Sequence, residues 1–467
     1  MAKATLSAPS GFRDFLPDQL RRRHELMRRI RATYERFGFE GMETPAMENL
    51  QVFLGKGGGE NEKLMFQVLK RGAELGRALA KIAPAGAEGN GAEPEVQLAD
   101  LALRFDLTVP LARYFSSHRG ELPGIFKRYQ IGPVWRAERA QHGRFREFIQ
   151  CDVDVLGSAS MMVEADVILA TATALAELGF ADLTVRLNSR PLLMHLVASF
   201  GVPAELLGAA VVAIDKLDKE APVAVHAELT GKGVAAAAGT ALLELWQQAR
   251  DLSSAERLEV VAERVLGAGG VAALQVGQMR EVLALTPPLP AGQLVFDPFL
   301  ARGMDYYTGP IFEVAAAGVP FSLAGGGRFD DLVERLSGTK VPACGFSIGF
   351  ERVFTLMEER GMLTDKAGAA DVLVAVPNPE SARAAIELGI TLRSAGLRAD
   401  VFPGAGKLGP QYELAERKQI AWAVIADAGK IAAGTVEVRS MTTRQNTAVA
   451  IAELAAWLRG QGTVSGV

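Results

Sequence analysis

Cysteine is nearly absent from this chain, with Cys151 and Cys344 the only two thiols in 467 residues, both inside apolar strand-like runs. That leaves no disulfide framework and no cysteine-rich zinc cluster. The five histidines, at 24, 118, 142, 195 and 226, show no metal-ligand spacing and no pairing with a thiol. Protein-bound zinc and thiol nucleophiles are therefore disfavoured, and no metal ligand set is expected. No apolar run approaches the ~20 residues of a membrane span. The opening, Met1 to Ser7, is too short and too polar for a secretory signal, which makes the cytoplasm the expected location. A net charge of −4 argues against a general nucleic-acid coat, although a local basic patch can coexist with an acidic whole. The densest basic run, Arg21 to Arg31, has Leu20, Met27, Ile30 and Tyr34 near helical spacing behind it and reads as a solvated helix face. The glycine runs Gly57 to Gly59 and Gly325 to Gly327 match neither the dinucleotide fingerprint nor the P-loop, and both read as turns.

What is present is ample material for a core: 49% hydrophobic and 22% charged residues over a length that suggests several domains. The segment Ala83 to Val96, rich in Gly, Ala, Pro and Glu, breaks all periodicity and reads as a mobile excursion. Residues 191–290 are rich in Ala, Leu and Val at helical spacing and read as a helical insertion that closes on a proline-rich turn. A boundary is expected near Asp365 to Ala370, after a helix that Gly361 ends. Beyond it, residues 369–467 alternate strand and helix and read as a separate α/β domain with a mixed sheet.

Chemistry gathers at three places. In Leu103 to Val109 the odd positions are apolar while Arg104, Asp106 and Thr108 fall on the even ones, the pattern of a two-faced strand. The same alternation sets Phe148, Gln150, Asp152 and Asp154 opposite Ile149, Cys151, Val153 and Val155. The preceding segment from Gly132 to Arg144 reads as strand then loop, so a hairpin would bring Arg136, Arg144 and Gln150 together over a pocket. An arginine beside carboxylates suits an amino acid plus a polyphosphate. The third place, Pro342 to Phe354, reads as a strand that runs through Gly349 into a helix carrying Phe350, Val353 and Met357 on one side, with Arg352 at its start. Finally, the run from Leu300 to Val314 sets Arg302, a permanent cation with a rigid fork of donors, beside the phenols Tyr306 and Tyr307.

Together these elements resemble a class II aminoacyl-tRNA synthetase, and the stretch from Arg302 to Tyr307 narrows the resemblance to the histidyl-tRNA synthetase family, over nearly the whole chain. Gly11 to Pro17 is similar to that family's opening and Gly38 to Pro45 to its motif 1, whose proline lies at a dimer interface. Ile125 to Gly157 is similar to motif 2 and Gly345 to Arg352 to motif 3. The resemblance implies an α+β catalytic domain on an antiparallel sheet with flanking helices over 1–368, the helical insertion at 191–290 within it, and an anticodon-binding-like α/β domain at 369–467.

It also implies site roles. Arg136 would bind the α-phosphate of ATP while Phe148 and Arg352 sandwich adenine, with Arg352 also near the γ-phosphate, and Glu138 would help hold ATP. Asp106, Thr108 and Gln150 would hold the ammonium and carboxylate end of histidine, and Asp154 and Tyr307, beside Tyr306, its imidazole. Arg302 would stabilise the charge that develops on the α-phosphate, with Mg²⁺ on the polyphosphate. Arg139, Gln141, His142 and Arg144 would meet the acceptor end of the histidine tRNA, and the enzyme would be a homodimer. One departure is Phe329, where the family usually has tyrosine, which removes a hydroxyl and would weaken histidine affinity. The rival reading is the synthetase-like, catalytically inactive regulatory subunit of ATP phosphoribosyltransferase, which binds histidine as a signal. That family usually lacks the anticodon domain and an intact segment like that from Arg302 to Tyr307, both present here.

Overall fold

The computed structural model describes residues 6–54, 64–82, 98–140, 143–265, 267, 269–301, 306–363 and 368–461. Arg302, Gln141, His142, the glycines Gly57 to Gly59 and the expected excursion from Ala83 to Val96 lie outside the described residues. In chain order the strands are β1 (Glu40–Gly41), β2 (Met47–Asn49), β3 (Gln67–Leu69), β4 (Ala99–Leu103), β5 (Phe126–Trp135) and β6 (Glu147–Leu156). They continue as β7 (Leu183–Ser189), β8 (Gly292–Phe296), β9 (Pro310–Ala316), β10 (Ala324–Arg328) and β11 (Ala343–Gly349). The last are β12 (Val372–Ala375), β13 (Ala399–Val401), β14 (Trp422–Ile425), β15 (Thr435–Ser440) and β16 (Asn446–Ala450).

The chain divides into one unit of residues 1–14 and 25–362 and another of 15–24 and 363–467. The first is built on an eight-stranded sheet of order β1-β5-β6-β11-β10-β9-β7-β8. Its central strands pair antiparallel, as expected, while β1 and β8 join the two edges parallel. A parallel neighbour requires a long crossover. Between β7 and β8 that crossover is the helical stretch, with helices Arg190–Ala198, Leu207–Ile214, Pro222–Gly231, Ala236–Arg250, Ser254–Val265 and Gly270–Leu285. Ser189 caps the first of them by accepting from the Leu192 amide, and Pro191 fits its first turn because an amide there would have no helical partner.

Strands β5 and β6 pair as the expected hairpin, with Gln150 opposite Gly132, Asp152 opposite Gln130 and Asp154 opposite Arg128. On the other side of β6, β11 places Gly349, Ser347 and Gly345 opposite the same three residues. One sheet face therefore carries a polar ladder across three strands, because side chains at i and i+2 share a face.

Two local readings are corrected. The alternation from Leu103 to Val109 is not a strand: β4 stops at Leu103 and the helix Thr108–His118 begins five residues later. The Asp106 carboxylate accepts from the Val109 amide at 3.1 Å, satisfying a first-turn donor, and Arg104 turns inward to the carbonyls of Thr44 at 2.6 Å and Pro133 at 2.9 Å. Arg104 to Leu107 are all buried, so polarity here marks internal hydrogen bonding rather than a wet face. Nor is Gly325 to Gly327 a turn; it lies within β10. A Cβ on Gly326 would stand 2.1 Å from the Gly345 carbonyl oxygen, so the sheet needs a residue without a side chain there.

The helix Pro17–Arg36 bears out the expected basic face only in part: Arg22 pairs with Asp18 at 2.7 Å and Arg28 and Arg29 with Glu25 at 2.8 and 2.9 Å, but Arg23 is buried, Leu20 is exposed and Met27 is only half-buried. Leu26, Ile30 and Tyr34 form its buried side. In the second unit a five-stranded sheet has the order β13-β12-β14-β15-β16, parallel among the first three and antiparallel thereafter, the mixed sheet that the strand and helix alternation predicts. No helix among the described residues is long and apolar enough to cross a membrane.

Candidate active site

A cavity of about 720 Å³ opens above the polar ladder. Its walls gather residues from each of the chemistry-bearing stretches singled out in the sequence, though none from Gly11 to Pro17 or Gly38 to Pro45: Asp106 and Thr108, then Arg136, Glu138, Arg139 and Arg144, then Phe148 and Gln150, then Tyr306 and Tyr307, and finally Gly349 and Arg352. Proximity of this kind is what the hairpin and the antiparallel sheet create from residues more than 200 positions apart.

At one end stands the Tyr306 hydroxyl, which donates to Asp106 Oδ2 at 3.2 Å. Burial pushes the Asp106 carboxyl up, against the Val109 amide, the Arg136 charge and the Tyr306 hydroxyl, which favour the ionised form. Tyr307 meets the Tyr306 ring edge-on at 5.0 Å, and Phe329 meets it edge-on at 6.1 Å. Phe329 is buried in the core cluster and is not among the cavity-lining residues. At this position of this chain the ring supports Tyr306 by packing.

Arg136 is anchored by Nε, which donates to the Phe105 carbonyl at 3.0 Å, and its guanidinium lies 5.1 Å from the Phe148 ring centroid. Its remaining donors are thereby aimed from a fixed stem. Arg144 and Glu138 form an ion pair at the hairpin tip. Across the cavity, Arg352 donates to the Ser322 carbonyl at 3.0 Å and lies 5.5 Å from the Phe321 ring. Asp154 does not line the cavity but lies buried below it, 2.7 Å from the equally buried Arg128. A Cβ on Gly345 would stand 1.9 Å from Asp154 Oδ1, which makes glycine at 345 the condition for that carboxylate's position.

The family model for histidyl-tRNA synthetase matches residues 11–80 and 94–353, and that for an anticodon-binding domain matches 371–461. The chain belongs to the histidyl-tRNA synthetase family. A histidine–tRNA ligase of Leifsonia xyli is 44% identical over 79% of this chain and 83% of its own length, and that of Gloeobacter violaceus is 37% identical over 98% and 99%. The solved histidyl-tRNA synthetase of Nostoc sp. PCC 7120 superposes with a TM-score of 0.79 at 28% identity, covering 98% of this chain and all of that one. This histidyl-tRNA synthetase family member is accordingly an aminoacyl-tRNA synthetase.

Several participants escaped the sequence reading. The opening segment matters because the Gly11 carbonyl accepts from the Arg146 amide at 2.9 Å, while Arg13 stacks on Phe145 at 3.4 Å and pairs with Glu351. Glu351, at the start of the helix Phe350–Glu359, also accepts from the Ile149 amide at 3.4 Å. Arg128, on β5, was silent in sequence because its strand alternates no more clearly than its neighbours. The register that sets it against Asp154 is the only signal, and it is tertiary.

The buried acids create a pH dependence. Burial pushes Asp152 to about 7 and Asp154 to about 6, against the pull of Arg128. The native state thus holds protons that the unfolded chain has released, so these groups stabilise the fold below pH ~4 and this contribution is lost as pH rises towards ~7. Urea midpoints at pH 5 and pH 8 should show a smaller loss at the higher pH for Asp152→Asn than for the unaltered protein. Parallel shifts in both proteins would exclude Asp152 as a source.

Proposed function

We propose that the cavity activates histidine with ATP to histidyl-adenylate, releasing pyrophosphate, and that histidine is then transferred to the 3′ end of its tRNA. The observation that carries this reading is the lining of one cavity, which combines the Asp106–Tyr306 pair and Gln150 with the guanidinium groups of Arg136 and Arg352. An ammonium group suits the carboxylate and amide, and a polyphosphate the two arginines.

In this reading Asp106, Thr108 and Gln150 hold the ammonium and carboxylate end of histidine and Tyr306 and Tyr307 form the imidazole side, while Asp154, expected there from the sequence, stands outside the cavity wall, paired with Arg128. A pocket whose acceptors and phenols are paired only by an imidazole rejects other amino acids because they leave buried polar groups unsatisfied. Arg136 holds the α-phosphate, Glu138 helps to hold ATP, and Phe148 and Arg352 take the adenine between them. The histidine carboxylate attacks the α-phosphorus, pyrophosphate leaves, and Arg302 and Arg136 neutralise the charge that builds on the phosphoryl oxygens. No covalent enzyme intermediate is required; positioning and electrostatics supply the rate.

Mg²⁺ enters with the polyphosphate as part of the substrate. Glu138 and Glu351 are each tied to an arginine, which fits an ion held mainly by phosphate oxygens and water. Arg139 and Arg144 face the acceptor end of the tRNA, with Gln141 and His142 between them in sequence. We read residues 1–368 as the synthetase domain with its insertion at 191–290, residues 369–467 as the anticodon-binding domain, and the working form as a cytoplasmic homodimer.

Amino-acid-dependent ATP–pyrophosphate exchange tests this directly. Exchange with histidine alone among the twenty amino acids, abolished by Arg302→Ala, is the expected result. Histidine binding without exchange would instead mark a regulatory histidine sensor.

A further inference from the structure

We propose that Ser347 and Asp152 are a positioning pair that fixes the orientation of the Gln150 amide, so that its carbonyl oxygen faces the substrate's ammonium group. The inference rests on the reading that Gln150 contacts that end of histidine.

The geometry is a short polar row on adjacent strands. Ser347 of β11 lies directly opposite Asp152 of β6, and Gln150 is the next residue on that face of β6. Gln150 Nε2 donates to Ser347 Oγ at 2.7 Å. A serine hydroxyl carries one proton, and with its oxygen accepting from Gln150 that proton is directed to another acceptor. The Asp152 carboxylate, directly opposite on β6, is the acceptor we infer for it, and Ser347 favours the ionised acid against burial.

An ionised carboxylate can only accept, so it forces the hydroxyl to donate towards Asp152 and to accept from Gln150. The reversed amide would set Gln150 Oε1 against Ser347 Oγ with no proton between them. The direction of the row is therefore set at Asp152, two residues away on the same face, and its consequence is felt at Gln150. There Oε1 is buried and has no hydrogen-bond partner among the described residues, although Gln150 and Ser347 both line the cavity. An acceptor left open in this way at the cavity wall awaits a donor from a ligand. The α-ammonium group of the amino acid is the donor that the reaction brings.

Asp152 is buried among charged and polar groups, and its Oδ1 has no hydrogen-bond partner among the described residues. Gln130 faces it from β5, Arg128 and Asp154 act on it from the same sheet face, and Asp106 approaches from the turn before the helix Thr108–His118. Arg104, Tyr34 and Tyr306 also feel its charge. None of these residues substitutes for Ser347 as the link to Gln150, because Gln150 Nε2 bonds to the serine alone among the described residues.

The test is steady-state pyrophosphate exchange at pH 8, above the value of about 7 to which burial pushes Asp152. Ser347→Ala frees the amide to rotate and should raise KM for histidine about tenfold, the worth of one hydrogen bond to a charged group, with kcat and KM for ATP changed less than about twofold. Imidazole-4-propanoate, which is histidine without its ammonium group, serves as a competitive inhibitor. Its inhibition constant should be the same for Ser347→Ala and the unaltered enzyme. Equal weakening of histidine and of this analogue would show a general loosening of the pocket and overturn the proposal, as would an unchanged histidine KM.

Asp152→Asn provides a second route, since an amide can donate or accept and no longer imposes a direction. It should raise KM for histidine by no more than Ser347→Ala, and the double variant should be no worse than Ser347→Ala. Additive effects would separate the two residues and overturn the pairing. Gln150→Ala distinguishes the levels of the argument: no effect on histidine KM would remove Gln150 from ammonium recognition. A large effect there, with none from Ser347→Ala, would remove only the positioning pair.

Discussion

Replacing Arg136 by alanine is expected to lower adenylate formation by about a thousandfold at saturating ATP and histidine, the upper range for losing one preorganised donor at a developing oxyanion. The side chain is fixed at its stem by the Phe105 carbonyl and lies 5.1 Å from the Phe148 ring centroid, so its fork is aimed before substrate arrives. Such preorganisation removes a reorganisation step that water or a mobile cation would require. Arg136→Lys should recover little, because an ammonium group presents no planar pair of donors. Single-turnover formation of adenylate, with ATP affinity measured separately, decides the matter. A loss below about tenfold, or one confined to ATP affinity, would take Arg136 out of the transition state.

The second large effect concerns stability. Glu164, on the helix Met162–Glu177, receives two donors from Arg328 at the end of β10, Nε at 2.6 Å and Nη2 at 2.8 Å, and both side chains are almost fully buried. Arg328 also reaches the Ser158 carbonyl and Asp330 Oδ1, at 3.3 and 3.2 Å. Burial pushes Glu164 up, while the bonds and charge of Arg328 pull it down. Removing Glu164 leaves the buried guanidinium with only the longer contact to Asp330 and two unmatched donors, so Glu164→Ala should destabilise the unit by about 3 kcal/mol. The double variant Glu164→Leu/Arg328→Met, which removes both charges and keeps volume, should be distinctly less damaged. Urea unfolding followed by intrinsic fluorescence measures both. If the double variant proves as unstable as the single, the ion pair itself carries net stability and the cost is not that of an orphaned arginine.

Much of this molecule can be read from its residues, and the failures have physical causes. The strict alternation around Gln150 identifies β6, since a half-polar strand is the simplest way to place four such residues on one face. Alternation around Asp106 misleads because a buried turn that feeds its own polar groups has the same pattern as a strand with one wet face. Gly325 to Gly327 misleads in the opposite way. Glycines signal a turn locally, and nothing local reveals that the Gly345 carbonyl will press on Gly326 from the neighbouring strand.

By itself the sequence determined the periodic elements, the helical stretch between β7 and β8, the alternating strands and helices of the second unit, and which residue types carry chemistry, because these depend on neighbours a few positions apart. Only the tertiary structure decided the partners of those residues. Arg128 against Asp154, Ser347 between Gln150 and Asp152, and Arg13 on Glu351 each join positions brought together by strand register or loop docking. A register shift of one residue would turn every one of the sheet contacts to the opposite face, and no short stretch of the chain encodes that choice.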